Sequence, residues 1–184
     1  TIADKIATET AMTFVDRMPD VTLYQVLTRT AANFPDRNAL SFQITSGVKD
    51  KAETHTWSTP KARVTQAANV VRKLGVGEKD GVAYLLPNCN EAVISLLGGA
   101  TAGIVNPINP TIEDEQIAAI LRETGAKVVV TLRAFPKTDV AQKVANAIKM
   151  APNVEAVLEV DLARYLTPPL SWIVPLIRPK VEIG

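Results

Sequence analysis

Short apolar runs alternate with helical spacings through the middle of the chain. Val82–Leu86, Ile104–Val105, Val128–Thr131 and Glu155–Val160 place apolar residues side by side rather than at every second position. That is the pattern of strands covered by helices on both faces. Between them, helical periodicity runs from about Glu91 to Thr101, Glu113 to Glu123 and Thr138 to Lys149. Strand, helix, strand in that order predicts a parallel sheet with right-handed crossovers. Within Val82 to Pro110, Pro87-Asn88 stops the first strand and Gly98, Gly99 and Gly103 are expected to break up the helix that follows. The second strand then ends in Asn106-Pro107-Ile108-Asn109-Pro110.

The flanks read differently. Thr22 is placed to cap a helix through Phe34, with Leu23, Val26, Leu27, Thr30 and Ala31 on one face. Pro35 ends it, because the residue before a proline avoids the helical region. Ala39–Thr45 and Glu53–Trp57 read as two strands of a hairpin, turning at Ser46-Gly47 and Lys49-Asp50-Lys51. Ser58 is expected to cap the next helix, with Pro60 tolerated in its first turn, and Gly75 to stop it in a left-handed conformation. From Leu162 the chain becomes rich in proline, with Tyr165 and Trp172 among leucines and isoleucines.

These residues resemble a known family. Apolar strand, Leu86-Pro87-Asn88, a helix containing Gly99-Ala100-Thr101-Ala102-Gly103, then Asn106-Pro107 is similar to the amino-terminal part of the adenylate-forming enzymes, especially acyl-CoA synthetases. Thr22–Leu27, Ala31–Leu40, Thr56-Trp57-Ser58 and Gly125–Thr131 follow in the family's order, so the likeness runs from about Thr22 to Val160. Asp80-Gly81-Val82 departs from the family's usual Asp-Arg-Val. The resemblance implies an α/β fold, a mostly parallel sheet flanked by helices with an additional β-hairpin, as an incomplete amino-terminal part of the adenylate-forming fold. It implies three parts of one larger adenylation domain: 1–60 as helix and hairpin, 61–160 as the sheet, 161–184 as an apolar tail.

For the parent enzyme the resemblance implies ATP-dependent activation of a carboxylic acid, a fatty acid among the candidates. An acyl adenylate forms first and a thioester with CoA second, with Mg²⁺ on the phosphates. The family's Gly/Thr-rich phosphate loop (T-S-G-T-T-G-x-P-K-G) is not in this sequence, and its adenylation lysine belongs to a carboxy-terminal domain. The chain is therefore expected to be a piece of a synthetase, inactive alone, with the remainder of the synthetase as its partner. No catalytic residue and no metal ligand is assigned here. The other reading is a stand-alone, non-catalytic α/β binding or assembly module.

Composition narrows the classes. At 184 residues, 47% hydrophobic and 21% charged, the chain can bury a sizeable core. A net charge of +1 with basic residues scattered among acids argues against nucleic acid. One cysteine, no signal-peptide pattern and no apolar run of about 20 residues point to the cytoplasm. The tail adds an option at the inner membrane's edge. Leu170, Trp172 and Ile173, flanked by Arg164, Arg178 and Lys180, read either as an interfacial segment or as an apolar strap for a neighbouring part of the chain. Apolar surface left uncovered at hairpin and tail would favour self-association.

Candidate chemistry concentrates where ligands bind in parallel sheets, outside the carboxyl ends of the strands. Asn88, Asn106 and Asn109 fall there. Their amides could orient a pantetheine amide or a carboxylate along an acyl/CoA passage, or could satisfy turn backbone groups. Gly75–Gly81 precedes a strand rather than following one, so it is a helix stop and not a dinucleotide loop. Thr111 with Glu113, Asp114 and Glu115 reads as a capped, dipole-matched helix start. His55 is expected to be an exposed strand histidine, and Cys89 a small turn residue.

Overall fold

The computed structural model describes residues 1–18, 20, 22–45, 47 and 52–183. Helix α1 (Ile2–Ala11) opens the chain on a Thr1–Asp4 capping box and has no buried residue; a short α2 (Phe14–Arg17) follows. Thr22 caps α3 (Leu23–Asn33) as expected, through a reciprocal box with Gln25. Only Leu27 and Ala31 of its apolar face are buried, and Leu23 stays exposed. Strands β1 (Asn38–Phe42) and β2 (Glu53–Thr56) pair antiparallel with an irregularity between Asn38 and Leu40. The turn expected at Ser46 and Lys49-Asp50-Lys51 lies outside the described residues.

Helix α4 (Ser58–Lys73) begins at Ser58 itself, so its cap lies one residue earlier than expected. Trp57, in helical backbone geometry, occupies the cap position, while the Ser58 hydroxyl donates to the Pro35 carbonyl at 3.0 Å. The serine thus ties the helix to the preceding turn instead of capping it. Gly75 does stop the helix, at φ 85°, with the Val76 N–H bonded back to Val71.

Four strands, β3 (Gly81–Leu85), β4 (Ile104–Pro107), β5 (Ala126–Leu132) and β6 (Ala156–Val160), form one sheet in the order β4-β3-β5-β6, all parallel. Helices α5 (Asn90–Ala102), α6 (Asp114–Glu123) and α7 (Val140–Lys149) make the crossovers. The expected parallel α/β architecture with a separate hairpin is what the chain adopts. Against one face, Val82 and Val128 pack with Ala68, Val71, Val76 and Ala102. Ala83, Leu85 and Val129 belong to a larger cluster with Ile117, Leu121, Val144 and Ala147.

Two local expectations fail for identifiable reasons. Gly98 and Gly99 do not break α5, which runs through them and ends at Gly103. A Cβ on Gly98 would lie 2.8 Å from the Ala67 Cβ, so the glycine lets α4 and α5 approach closely. Thr111 does not cap α6. Glu113 does, in a box with Gln116, and Thr111 is held by the Asn109 side chain. Beyond β6, a 3₁₀ turn at Leu162–Tyr165 leads to α8 (Leu170–Ile177), eight residues with Pro175 inside. No described helix is long and apolar enough to cross a membrane.

Candidate functional site

The sheet's strand order fixes where a ligand rim lies. From β3 the chain moves to β4 on one side and then crosses to β5 on the other, so the connections diverge at the carboxyl ends of β3 and β5. The β3 exit, Leu86 to Asn90, borders that crevice directly. The β4 exit, from Asn106 to Asn109, lies one strand further out.

The three asparagines have different surroundings. Asn88 is exposed, and its side chain bonds no other described residue. Asn106 sits in β4 opposite Ala83, half-buried, with its Nδ2 buried and without a partner among the described residues. Asn109 is exposed, and its Oδ1 accepts from the Thr111 N–H at 3.0 Å and the Thr111 hydroxyl at 2.9 Å. Its side chain therefore serves the turn. The structure does not bring the three amides onto one point.

It does assemble a polar cluster that no local pattern announced. Cys89, in extended backbone, sets the start of α5, so that Asn90 turns inward and its Nδ2 donates to Glu53 Oε2 at 3.0 Å. Arg164 donates to both Glu53 Oε1 and Glu91 Oε1, and the Tyr165 hydroxyl donates to Glu91 Oε2 at 2.8 Å. The Arg164 guanidinium lies 4.5 Å from the Tyr165 ring centroid. Tyr165 in turn meets Phe42 edge-on, at 4.7 Å and 74°. His55 Nε2 is 3.3 Å from Glu53 Oε2, and the His55 side chain is 13% exposed rather than open to solvent. Packing of β2 against this cluster accounts for that departure from expectation.

Electrostatics make the cluster a clasp rather than a reactive centre. Partial burial works to raise the Glu53 carboxyl, but the Asn90 amide, Arg164, Tyr165 and His55 together hold it below its ordinary value. Burial, followed by the Glu91 carboxylate that accepts its proton, pushes the Tyr165 phenol far above its ordinary value. Burial likewise pushes the Cys89 thiol up to about 11, so it is a packed turn residue without thiolate character at neutral pH. Both carboxylates are matched to donors. The lowered Glu53 carboxyl and the raised Tyr165 phenol both move away from neutrality.

Sequence reasoning missed this cluster because Glu53, Glu91 and Arg164 lie up to 111 positions apart. The available hints were an acid at the start of a hairpin strand and an arginine in an otherwise apolar tail. Among the described residues, no three His, Cys, Asp or Glu side chains come together to hold a metal ion.

Comparison with known proteins supplies the family. The model of the AMP-binding enzyme family matches residues 27–173. The chain belongs to that family. It is 32% identical over 169 residues to a long-chain-fatty-acid–CoA ligase of Bacillus subtilis, covering 90% of this chain and 28% of that protein. A solved structure described as a putative long-chain-fatty-acid CoA ligase from Rhodopseudomonas palustris superposes with a TM-score of 0.64 at 26% identity, over 89% of this chain and 38% of that one. An anthranilate CoA ligase, solved with anthranoyl-AMP, gives a TM-score of 0.64 at 18% identity over 88% of this chain and 28% of that one, which shows the shared fold. The chain thus spans between a quarter and two fifths of these proteins. As the resemblance implied, the chain is part of an AMP-binding enzyme and shares the fold of the matching part of these CoA ligases.

Proposed function

We propose that this chain is the amino-terminal part of an acid–thiol ligase that uses ATP to convert a carboxylic acid to its acyl adenylate and then to a CoA thioester. The observation that carries this reading is the family match over residues 27–173, on a sheet that is parallel throughout as expected. The names of relatives that act on long-chain fatty acids support a fatty acid as substrate. The three-part division at 1–60, 61–160 and 161–184 inside one adenylation domain belongs to the same proposal.

Alone, the chain is proposed to be inactive. Adenylation needs donors around the triphosphate and compensation of its charge, because positioning and electrostatics carry phosphoryl transfer. The sequence has no Gly/Thr-rich phosphate loop, and among the described residues no three His, Cys, Asp or Glu side chains come together, so no step through the metal is assigned to them. What the chain contributes is scaffold and rim. Asn88 and Asn106, whose side chains keep unused hydrogen-bonding capacity, remain the candidates for an acyl/CoA passage; Asn109 is already engaged in its turn.

The tail's place is part of the proposal. Leu170 at 50%, Trp172 at 69% and Ile173 at 42% exposure support contact with a membrane surface or a covering strap of the parent. Arg164 and Arg178 are both held in ion pairs, with Glu53 and Glu91 and with Asp161 respectively. That leaves Lys180 as the unengaged flanking cation among the described residues and favours the strap. A cytoplasmic enzyme with an apolar edge fits these features.

The test is carboxylate-dependent exchange of pyrophosphate into ATP. A longer product of the same gene that contains the phosphate loop should show saturable exchange with fatty acids, while the 184-residue chain stays at background. Exchange by the short chain, purified free of host synthetases, would overturn the inactivity. No exchange by any longer product would favour the stand-alone binding module.

A further inference from the structure

A second feature of the rim does not depend on adenylation. Where the hairpin approaches the start of α5, a cleft of about 360 Å³ opens, within the size range of small-molecule sites. Its walls come from three elements: Leu40 and Phe42 of β1, Tyr84 of β3, and Val93 and Leu96 of α5. Leu40 and Phe42 alternate onto one side of their strand, and Val93 and Leu96 are three apart on their helix, so each element turns an apolar face inward.

Polar groups are few at this cleft, and two of them are free. Neither the Tyr84 hydroxyl nor the Asn88 amide bonds another described residue, although both line the cleft. Partial burial raises the Tyr84 phenol above its ordinary value, so it stays a neutral donor and acceptor. Asn90, also on the lining, already has its Nδ2 committed to Glu53. No charged side chain contributes to the wall, and the nearby acids Glu53 and Glu91 are occupied by Arg164.

We propose that this cleft binds a small uncharged molecule made of one aromatic ring or branched chain and an amide or hydroxyl head. The apolar part lies between Leu40, Phe42, Val93 and Leu96. The head meets Tyr84 and Asn88, which together supply three donor hydrogens and two acceptor oxygens. A carboxylate in the same place gains no cation and loses its hydration, so the cleft discriminates against the ionised analogue.

Acetanilide and benzoate are suitable probes, followed by amide-resolved NMR of the 184-residue chain. Acetanilide should give saturable shifts confined to the neighbourhood of residues 40–42, 84 and 88–96, with benzoate binding much more weakly. Tyr84→Phe, which keeps the ring, should weaken acetanilide about fivefold, the effect of one net hydrogen bond. Val93→Trp should abolish the shifts by filling the cleft; if that variant does not fold, Tyr84→Phe alone decides. Unsaturable or scattered shifts, equal binding of benzoate, or no effect of Tyr84→Phe would overturn the proposal. So would loss of the site in a longer gene product that still folds, since the cleft would then be a packing surface for later sequence. None of these outcomes bears on pyrophosphate exchange, so the two readings fail separately.

Discussion

The parallel sheet and the elements around it are held together by different physics. Between Gly81 and Val160, Val82, Leu85, Ile117, Leu121, Val128, Val129 and Val144 are at most 1% exposed, and helices cover both faces of the sheet. Outside it, α1 buries nothing and α8 buries only Val174 while Leu176 is 84% exposed. The hairpin is attached through the Glu53–Arg164–Glu91 clasp, the Phe42–Tyr165 contact and the packing of Phe42 against the edge of the sheet's apolar cluster. The sheet derives its stability from apolar area removed from water. The flanks bury less apolar surface and add partly exposed polar contacts, which contribute less.

The largest break in this contrast should come from the sheet's core. Leu121→Ala removes a fully buried side chain and should cost about 2–5 kcal/mol in urea unfolding. Gly98→Ala should follow at about 1–3 kcal/mol, because the new methyl meets Ala67 across the α4–α5 contact. Arg164→Met should cost only about 1 kcal/mol globally, its side chain being 38% exposed and its ion pairs screened. Its effect should instead appear as faster amide exchange in β1 and β2 with β3 and β5 unchanged.

Acid should act on the same clasp. The folded Glu53 carboxyl lies below its ordinary value of 4.5, so the unfolded chain binds its proton more readily. Its stabilisation is therefore complete above about 4.5 and is lost as pH falls through the lower folded value. Hairpin amide protection should fall with acidification below that point before the sheet's does, and Glu53→Gln should flatten that dependence. The smallest effect belongs to the tail. Trp172→Ala should change stability by no more than about 0.5 kcal/mol, yet reduce light scattering by concentrated protein if the exposed α8 face drives association.

The same contrast decided what could be read from the sequence. Strands expected at Val82–Leu86, Ile104–Val105, Val128–Thr131 and Glu155–Val160 stand within two residues of their observed bounds, because a doubly covered strand writes its burial into consecutive positions. Helix starts were less legible. Ser58 and Thr111 both have capping chemistry, but tertiary contacts drew the first to Pro35 and a local turn took the second. The helix α1 went unread although Thr1 and Asp4 spell a capping box, since its few apolar residues have nothing to pack on. At the rim, Asn88, Asn106 and Asn109 could be named from topology alone, whereas the clasp joins residues that only the folded chain makes neighbours. His55 was misjudged as well: its ring lies 3.3 Å from the clasped Glu53 carboxylate and its side chain is 13% exposed.

Native-state hydrogen exchange, resolved to single amides and followed across low denaturant, tests the contrast most directly. The account predicts that β3 and β5 amides exchange only through global unfolding, with a full denaturant dependence. The β1 and β2 amides should exchange through a cheaper opening with little denaturant dependence, and Arg164→Met should accelerate them alone. A single isotherm shared by hairpin and sheet, unmoved by Arg164→Met, would contradict it.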